Sequence, residues 1–402
     1  MTDARSPATV RQDFRSAAWL GLVTSTFSPI VVSLAAGRIG RDADVEWTIV
    51  ASLLLRDAAW QPEPRWPAIA VGILIHQAAD FWWVIVFFGF LGRWTSGLRP
   101  GTLLLLAPAW AVATSLLEWL VIVPLLPFWQ PAFTLTQAWW IGLVVHLLSA
   151  SLYPLFPSVR GRLAGQLPTP HRRFATAWSI AAAMGLAVFA VLAVMGANDR
   201  ELPHSGADAA RDRSYMRRMA VHHEQGVQLA MLARSQAADP HLRALARLMI
   251  AGQRAEIDIL ARWWRSWFDD PPALVCSQAE RAAMPGMLPP ERIAELARLR
   301  GAEFDAEFVR LMSEHHRGAV RMADDALRTA GDVRLRWMSH AIRHEQRGEI
   351  ALMHGVEGPP AVALAVRAMV DGAGAHPADR PGAFEGRKTV GGGPPTGSPT
   401  SP

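Results

Sequence analysis

The chain has 402 residues, 51% of them hydrophobic, and a formal charge of +5 in which Lys388 is the only lysine. Length and apolar fraction suit a membrane unit plus one soluble domain, and the arginines flank apolar segments instead of forming a dense basic face, so no nucleic-acid partner is expected. A single cysteine, Cys276, rules out an intrachain disulfide and a Cys-x-x-Cys zinc motif; it reads as a buried or incidental thiol.

Residues 1–200 read as a multi-span transmembrane region. Four segments lack Lys and Arg: Ser16–Gly37, Trp66–Gly92, Pro100–Val159 and Phe174–Asn198. A span takes about 20 residues of helix, so the third, divided at Pro124–Pro131, supplies two and five transmembrane helices are predicted.

Orientation follows from arginine. Arg5, Arg11 and Arg15 precede the first span, Arg93 and Arg99 lie between the second and third, and Arg160, Arg162, Arg172 and Arg173 lie between the fourth and fifth. Cytoplasmic loops carry the positive excess, so the N-terminus is expected inside and the C-terminal domain on the periplasmic or extracytoplasmic side of a bacterial inner membrane. The loop at 38–65 opposes this with Arg38, Arg41, Arg56 and Arg65, although Asp42, Asp44, Glu46, Asp57 and Glu63 accompany them. Its apolar run Val45–Leu55 reads as interfacial or re-entrant; if it spanned, the C-terminal domain would be cytoplasmic. Small residues at 33–37 also allow cleavage of the first segment as a signal, which would leave four spans and the same orientation.

The spans contain His76 and Asp80 at i, i+4, Glu118 and His146. Such groups either tie helices together by hydrogen bonds or line an ion, proton or metal path. The second alternative describes a transporter, sensor or enzyme with the C-terminal domain as regulator.

Residues 205–358 contain a duplication. Met219-Ala-Val-His222-His223 is matched by Met312-Ser-Glu-His315-His316, and Gln253-x-x-Glu256-Ile257 by Gln346-x-x-Glu349-Ile350, each at a separation of 93 residues. Asp212 and Asp305, Tyr215 and Phe308, and Asp239 and Asp332 keep the same offset. Apolar periodicity gives each unit two helices, near 212–236 and 240–268 and near 303–330 and 333–355, with turns at Asp239-Pro240 and Gly331-Asp332. The fold class is all-α, the spans being followed by a four-helix bundle made of two repeated hairpins.

On a helix, positions i, i+3 and i+4 share one face, so Met219, His222 and His223 form a stripe, as do Met312, His315 and His316. A bundle brings such repeated clusters near a pseudo-twofold axis, where bundle cores house metals. Thioether with imidazole leans towards copper, other transition metals remaining open. Glu256 and Glu349 are candidates for further ligands or for acceptors of imidazole N–H groups. His340 and His344, present in one unit only, are weaker candidates. Di-iron chemistry is opposed by the absence of Glu-x-x-His within either hairpin.

Together with Met284-Pro-Gly-Met287, the run from Gly301 to Ala323 and Gln346-x-x-Glu349-Ile350-x-x-Met353, these clusters resemble the bacterial family called domain of unknown function 305 over about residues 205–357. The resemblance implies a ferritin-like bundle and, from some members, periplasmic copper binding and resistance. It supports Met219, His222, His223, Met312, His315 and His316 as characteristic positions and adds Met284 and Met287. Leu260 stands where the second unit has Met353, leaving the first unit poorer in ligands. Residues 371–402, rich in Gly and Pro, read as a disordered tail. The expected function is membrane-anchored copper sequestration, delivery or resistance without turnover. The bilayer, the metal ion and a metal-exchange protein are the partners.

Overall fold

A computed structural model describes residues 6–61, 65–126, 129–272 and 275–384. Arg5, Glu63 and the 385–402 portion of the expected tail lie outside the described residues.

Five helices are long and apolar enough to cross a membrane: α1 (Pro7–Ala36), α3 (Trp66–Phe90), α4 (Pro100–Leu125), α6 (Trp139–Leu163) and α7 (Arg172–Ala197). Two short helices occupy the connections, α2 (Ala43–Leu55) and α5 (Ala132–Thr136). With 13 residues α2 is too short to cross a bilayer, which takes about 20. It lies against α3, where the missing side chain of Gly72 admits the Trp47 carbonyl. Both α3 and α4 carry a π-helical turn near the C-terminal end, at Ile85–Phe90 and Glu118–Ile122.

The first span begins nine residues earlier than the uncharged segment, carrying Arg11, Asp13 and Arg15 inside the helix. Asp13 is buried and ion-paired with Arg160 at 2.7 Å, and Phe14 meets Phe90 edge-on, so the arginine-rich connections gather at one end of the spans. At the other end α2, α5 and the turn Arg56–Trp60 pack against the C-terminal helices. Two of the arginines at that end are ion-paired: Arg38 binds Glu201, and Arg41 binds Glu46 and Glu345.

The C-terminal unit is built from α8 (Ala209–Gln236), α9 (Pro240–Trp267), α11 (Gly301–Thr329) and α12 (Val333–Met353), with α10 (Pro290–Arg298) in the connection and α13 (Pro359–Val370) following. The N-cap carboxylates of Asp208, Asp239 and Asp332 accept first-turn N–H groups and fix where α8, α9 and α12 begin. Helices α8 and α9 form one hairpin, α11 and α12 the other, and the two meet mainly through α8 and α11.

Hydrogen bonds join the two hairpins at their turns. Asp212 accepts the N–H groups of Gly331 and Asp332, the turn of the second hairpin. Asp305, its counterpart, accepts those of Ala238 and Asp239, the turn of the first. Each hairpin thus caps the other's turn.

The expected tail does not begin at 371. Asp379 receives the buried Arg347 guanidinium, with Arg347 Nε 2.8 Å from Oδ1, and Phe384 is buried beside His354. A buried guanidinium needs a counterion, and this segment supplies it.

Candidate metal centre

The two His-His pairs meet where α8 crosses α11. The rings of His222 and His315 stack with centroids 3.9 Å apart and planes 19° from parallel. Both residues are buried, as are His223 and His316. Two imidazoles 93 residues apart in the sequence are therefore in contact where the hairpins cross.

The inner pair belongs to the hairpins. His223 Nε2 stands 2.8 Å from Glu256 Oε2, and His316 Nε2 stands 2.7 Å from Glu349 Oε2, so each hairpin joins its own histidine and glutamate. Burial and the neighbouring Glu256 push Glu349 up to about 8, while burial and His223 push His316 down to about 3. Gln253 and Gln346 are buried one turn before these glutamates, and Gln253 fills the space left open by Gly226.

The outer pair is covered by the connection between hairpins. His222 Nε2 donates to the Pro285 carbonyl at 3.0 Å and His315 Nδ1 to that of Gly286 at 3.2 Å. Gln225 clamps Leu288, its Oε1 accepting the backbone N–H at 2.7 Å and its Nε2 donating to the carbonyl. Two glycines make the approach possible. Gly286 holds φ +76, in the left-handed region, and a Cβ on Gly318 would strike the Pro285 carbonyl.

These bonds fix the tautomers. With one N–H committed to a carbonyl, His222 keeps its lone pair on Nδ1 and His315 on Nε2, and both atoms are buried without a hydrogen-bond partner. Burial holds both rings neutral, His315 down to about 3 and His222 well below the usual imidazole range. His223 Nδ1, His316 Nδ1, Glu256 Oε1 and Glu349 Oε1 are likewise unpartnered. Neutral imidazoles with free lone pairs are the form that binds soft and borderline metals.

The methionines are not gathered as the stripes suggest. Met219 packs with Met216, Leu260 and Met322, whereas Met312 lies in a separate apolar cluster with Leu288 and Met353. Met284 forms a small cluster with Val221 and Cys276, against which Met287 packs. Among the described residues no three His, Cys, Asp or Glu side chains form a metal-binding group.

His344 is buried with neither ring nitrogen partnered, and His340 Nδ1 accepts from Trp140 Nε1 at 3.4 Å across the junction with the spans. Two features escaped the sequence reading. Cys276 packs beside Met284, which no spacing indicated, and Glu345 reaches out of the bundle to Arg41.

Residues 212–357 match the family described as "Domain of unknown function (DUF305)", and this C-terminal unit is a domain of that family. Among solved structures, a putative secreted DUF305 protein from Streptomyces coelicolor is 26% identical, covering 37% of this chain and 93% of its own, with a TM-score of 0.32. A DUF305 fragment from Deinococcus radiodurans is 27% identical, covering 38% and 97%, with a TM-score of 0.34. CopM, solved in a Cu(I)-bound form, is 28% identical, covering 36% and 93%, with a TM-score of 0.31. No curated protein matches the chain.

Proposed function

We propose that the C-terminal domain binds copper at the crossing of α8 and α11, acting in sequestration, delivery or resistance. In this reading the spans anchor it to the bacterial inner membrane, facing the extracytoplasmic side. The observation that carries the reading is the stacked pair of neutral, buried imidazoles whose free lone pairs, His222 Nδ1 and His315 Nε2, have no protein partner. Leaving such atoms unsatisfied is costly, and a bound ion relieves the cost.

The proposed ligand set is Met219, His222, His223, Met312, His315 and His316, with Met284 and Met287 from the covering loop. Glu256 and Glu349 orient His223 and His316 from behind. Copper, when bound, supplies a soft acceptor for sulfur and nitrogen lone pairs, and a Met-rich set favours Cu(I).

The test is Cu(I) competition against a chromogenic chelator with the full chain in detergent micelles. His222→Ala with His315→Ala should weaken binding at least about ten-fold, whereas Met249→Leu, which conserves core volume, should leave it unchanged. Wild-type affinity in the folded double variant, or no copper uptake by the wild type, would refute the assignment.

A further inference from the structure

The spans hold two further His–carboxylate pairs, and both border one cavity of about 540 Å³ that runs from His76, Glu118 and His146 to Arg41, Glu46 and Trp337 at the base of the bundle. Its walls are mostly apolar, so the few ionisable groups on it stand out. Ionisable side chains between spans are costly and mark paths for ions.

Proton bookkeeping at His146 is informative. The Thr114 hydroxyl donates to the backbone carbonyls of Trp110 and Ala111, at 3.0 and 3.2 Å, so its oxygen is left to accept from His146 Nδ1 at 3.1 Å. That places the lone pair of the neutral ring on Nε2. Nε2 faces Glu118 Oε2 at 3.4 Å, and this oxygen already accepts from Trp83 Nε1 at 2.9 Å. In the neutral ring two lone pairs would point at one another, so the pair is satisfied only with a cation between them, a proton on Nε2 or a metal ion.

The separation also differs from that of the two His–Glu pairs in the bundle, which stand at 2.8 and 2.7 Å, the second of them hydrogen-bonded. Two ligands about 2.1 Å from a shared tetrahedral ion stand about 3.4 Å apart. His76 Nε2 and Asp80 Oδ2 are also 3.4 Å apart, but there Ser28 bridges them, its Oγ 3.2 Å from Nε2 and donating to Oδ2 at 2.6 Å, so only His146 and Glu118 face each other without an intermediary. Glu118 opens the π-helical turn of α4, a distortion that recurs at functional sites.

We propose that His146 and Glu118 form an intramembrane exchange site that holds either one proton or one transition-metal cation, in a cavity leading to the bundle. In the exchange the one proton held by the pair departs through the cavity, and bonds from Nε2 and Oε2 to the metal form; no electron moves. Since no third His, Cys, Asp or Glu among the described residues joins the pair, the remaining coordination positions face the cavity. Few protein ligands mean weak holding, which suits passage better than storage.

The site shares no residue with the copper assignment, and the experiment separates the two. The full chain carrying His222→Ala and His315→Ala is placed in phosphatidylcholine nanodiscs and titrated with Zn²⁺, with uptake read by equilibrium dialysis and proton release by a pH dye. Zinc uptake with about one proton released per ion is expected, and both should be lost on adding Glu118→Gln. Thr114→Val, which removes only the acceptor behind the imidazole, should weaken uptake about ten-fold and serves if Glu118→Gln does not fold. No zinc above that of empty nanodiscs, or uptake and proton release unchanged by Glu118→Gln, would overturn the proposal.

Discussion

Arg41 Nη1 lies 2.6 Å from Glu345 Oε2, joining the turn after the first span to α12 across 304 residues of chain. The same guanidinium binds Glu46, whose other oxygen accepts from Gln137 at 2.9 Å. Burial, with Glu256 and Glu349 nearby, pushes the Glu345 carboxyl well above its usual range, and Arg41 opposes that push. Beside this pair α5 presses on α12, where Gly348 leaves room for the Leu135 carbonyl. The bundle is thus seated on the connections between spans by one buried cation shared between two carboxylates.

Removing one member of a buried ion pair costs about 3–5 kcal/mol, because the partner is left buried and unpaired. Arg41→Met strands Glu46 and Glu345 together, whereas Glu345→Gln leaves Arg41 its bond to Glu46. Thermal unfolding in detergent micelles should therefore show a larger loss for Arg41→Met. Equal losses would mean that the junction is held by helix packing alone.

Membrane orientation has a direct check. The helix connections that pack on the bundle lie at the end opposite Arg99, Arg160 and Arg172, and the positive excess marks the cytoplasmic side. A periplasmic reporter fused after Glu357 should be active and a cytoplasmic one silent. The reverse pattern would place the bundle inside the cell.

His344 makes stability fall on acidification. Burial, then the charges of His340 and Arg41, hold it down to about 3, while the unfolded chain titrates near 6.5. Below that value the unfolded state binds the proton and the folded state does not, so the contribution is whole above about pH 6.5 and is lost as pH falls towards 3. Between about pH 7 and about pH 4.5 this amounts to roughly 3 kcal/mol. Denaturant midpoints at the two pH values should converge in His344→Gln relative to wild type. An unchanged pH dependence would assign the acid sensitivity to other groups.

The repeat made the hairpins legible. Offsets of 93 residues between paired motifs located all four helices of the bundle, whose boundaries, 209–236, 240–267, 301–329 and 333–353, follow the apolar periodicity within three residues. Those offsets even contained the reciprocal caps, Asp212 with Asp332 and Asp305 with Asp239, although sequence alone could not say that each carboxylate serves the other unit. Periodicity reports which face of a helix is apolar and is silent on which distant residue meets it. Arg41 with Glu345, Arg347 with Asp379, and Thr114 behind His146 were accordingly invisible. Met219 and Met312 share a helix face with their histidines in sequence yet pack into different apolar clusters, because such a face is about 100° wide and neighbours on it can turn to opposite sides of the crossing.

The covering loop offers a way to perturb the centre without touching a proposed ligand. Gly318 lies on α11 directly beneath Pro285 and Gly286, and a methyl group there would collide with backbone, which cannot give way as a side chain can. Alanine in place of glycine favours the helix itself by about 1 kcal/mol, so Gly318→Ala should keep α11 intact while lifting the segment Met284–Met287 from the imidazoles. His222 and His315 then lose their carbonyl acceptors, and their tautomers are no longer fixed. Copper affinity of the full chain should fall about ten-fold, the scale seen when groups that orient a ligand are removed. Native helicity with wild-type copper affinity in Gly318→Ala would show that the loop covers the histidines without contributing to the site.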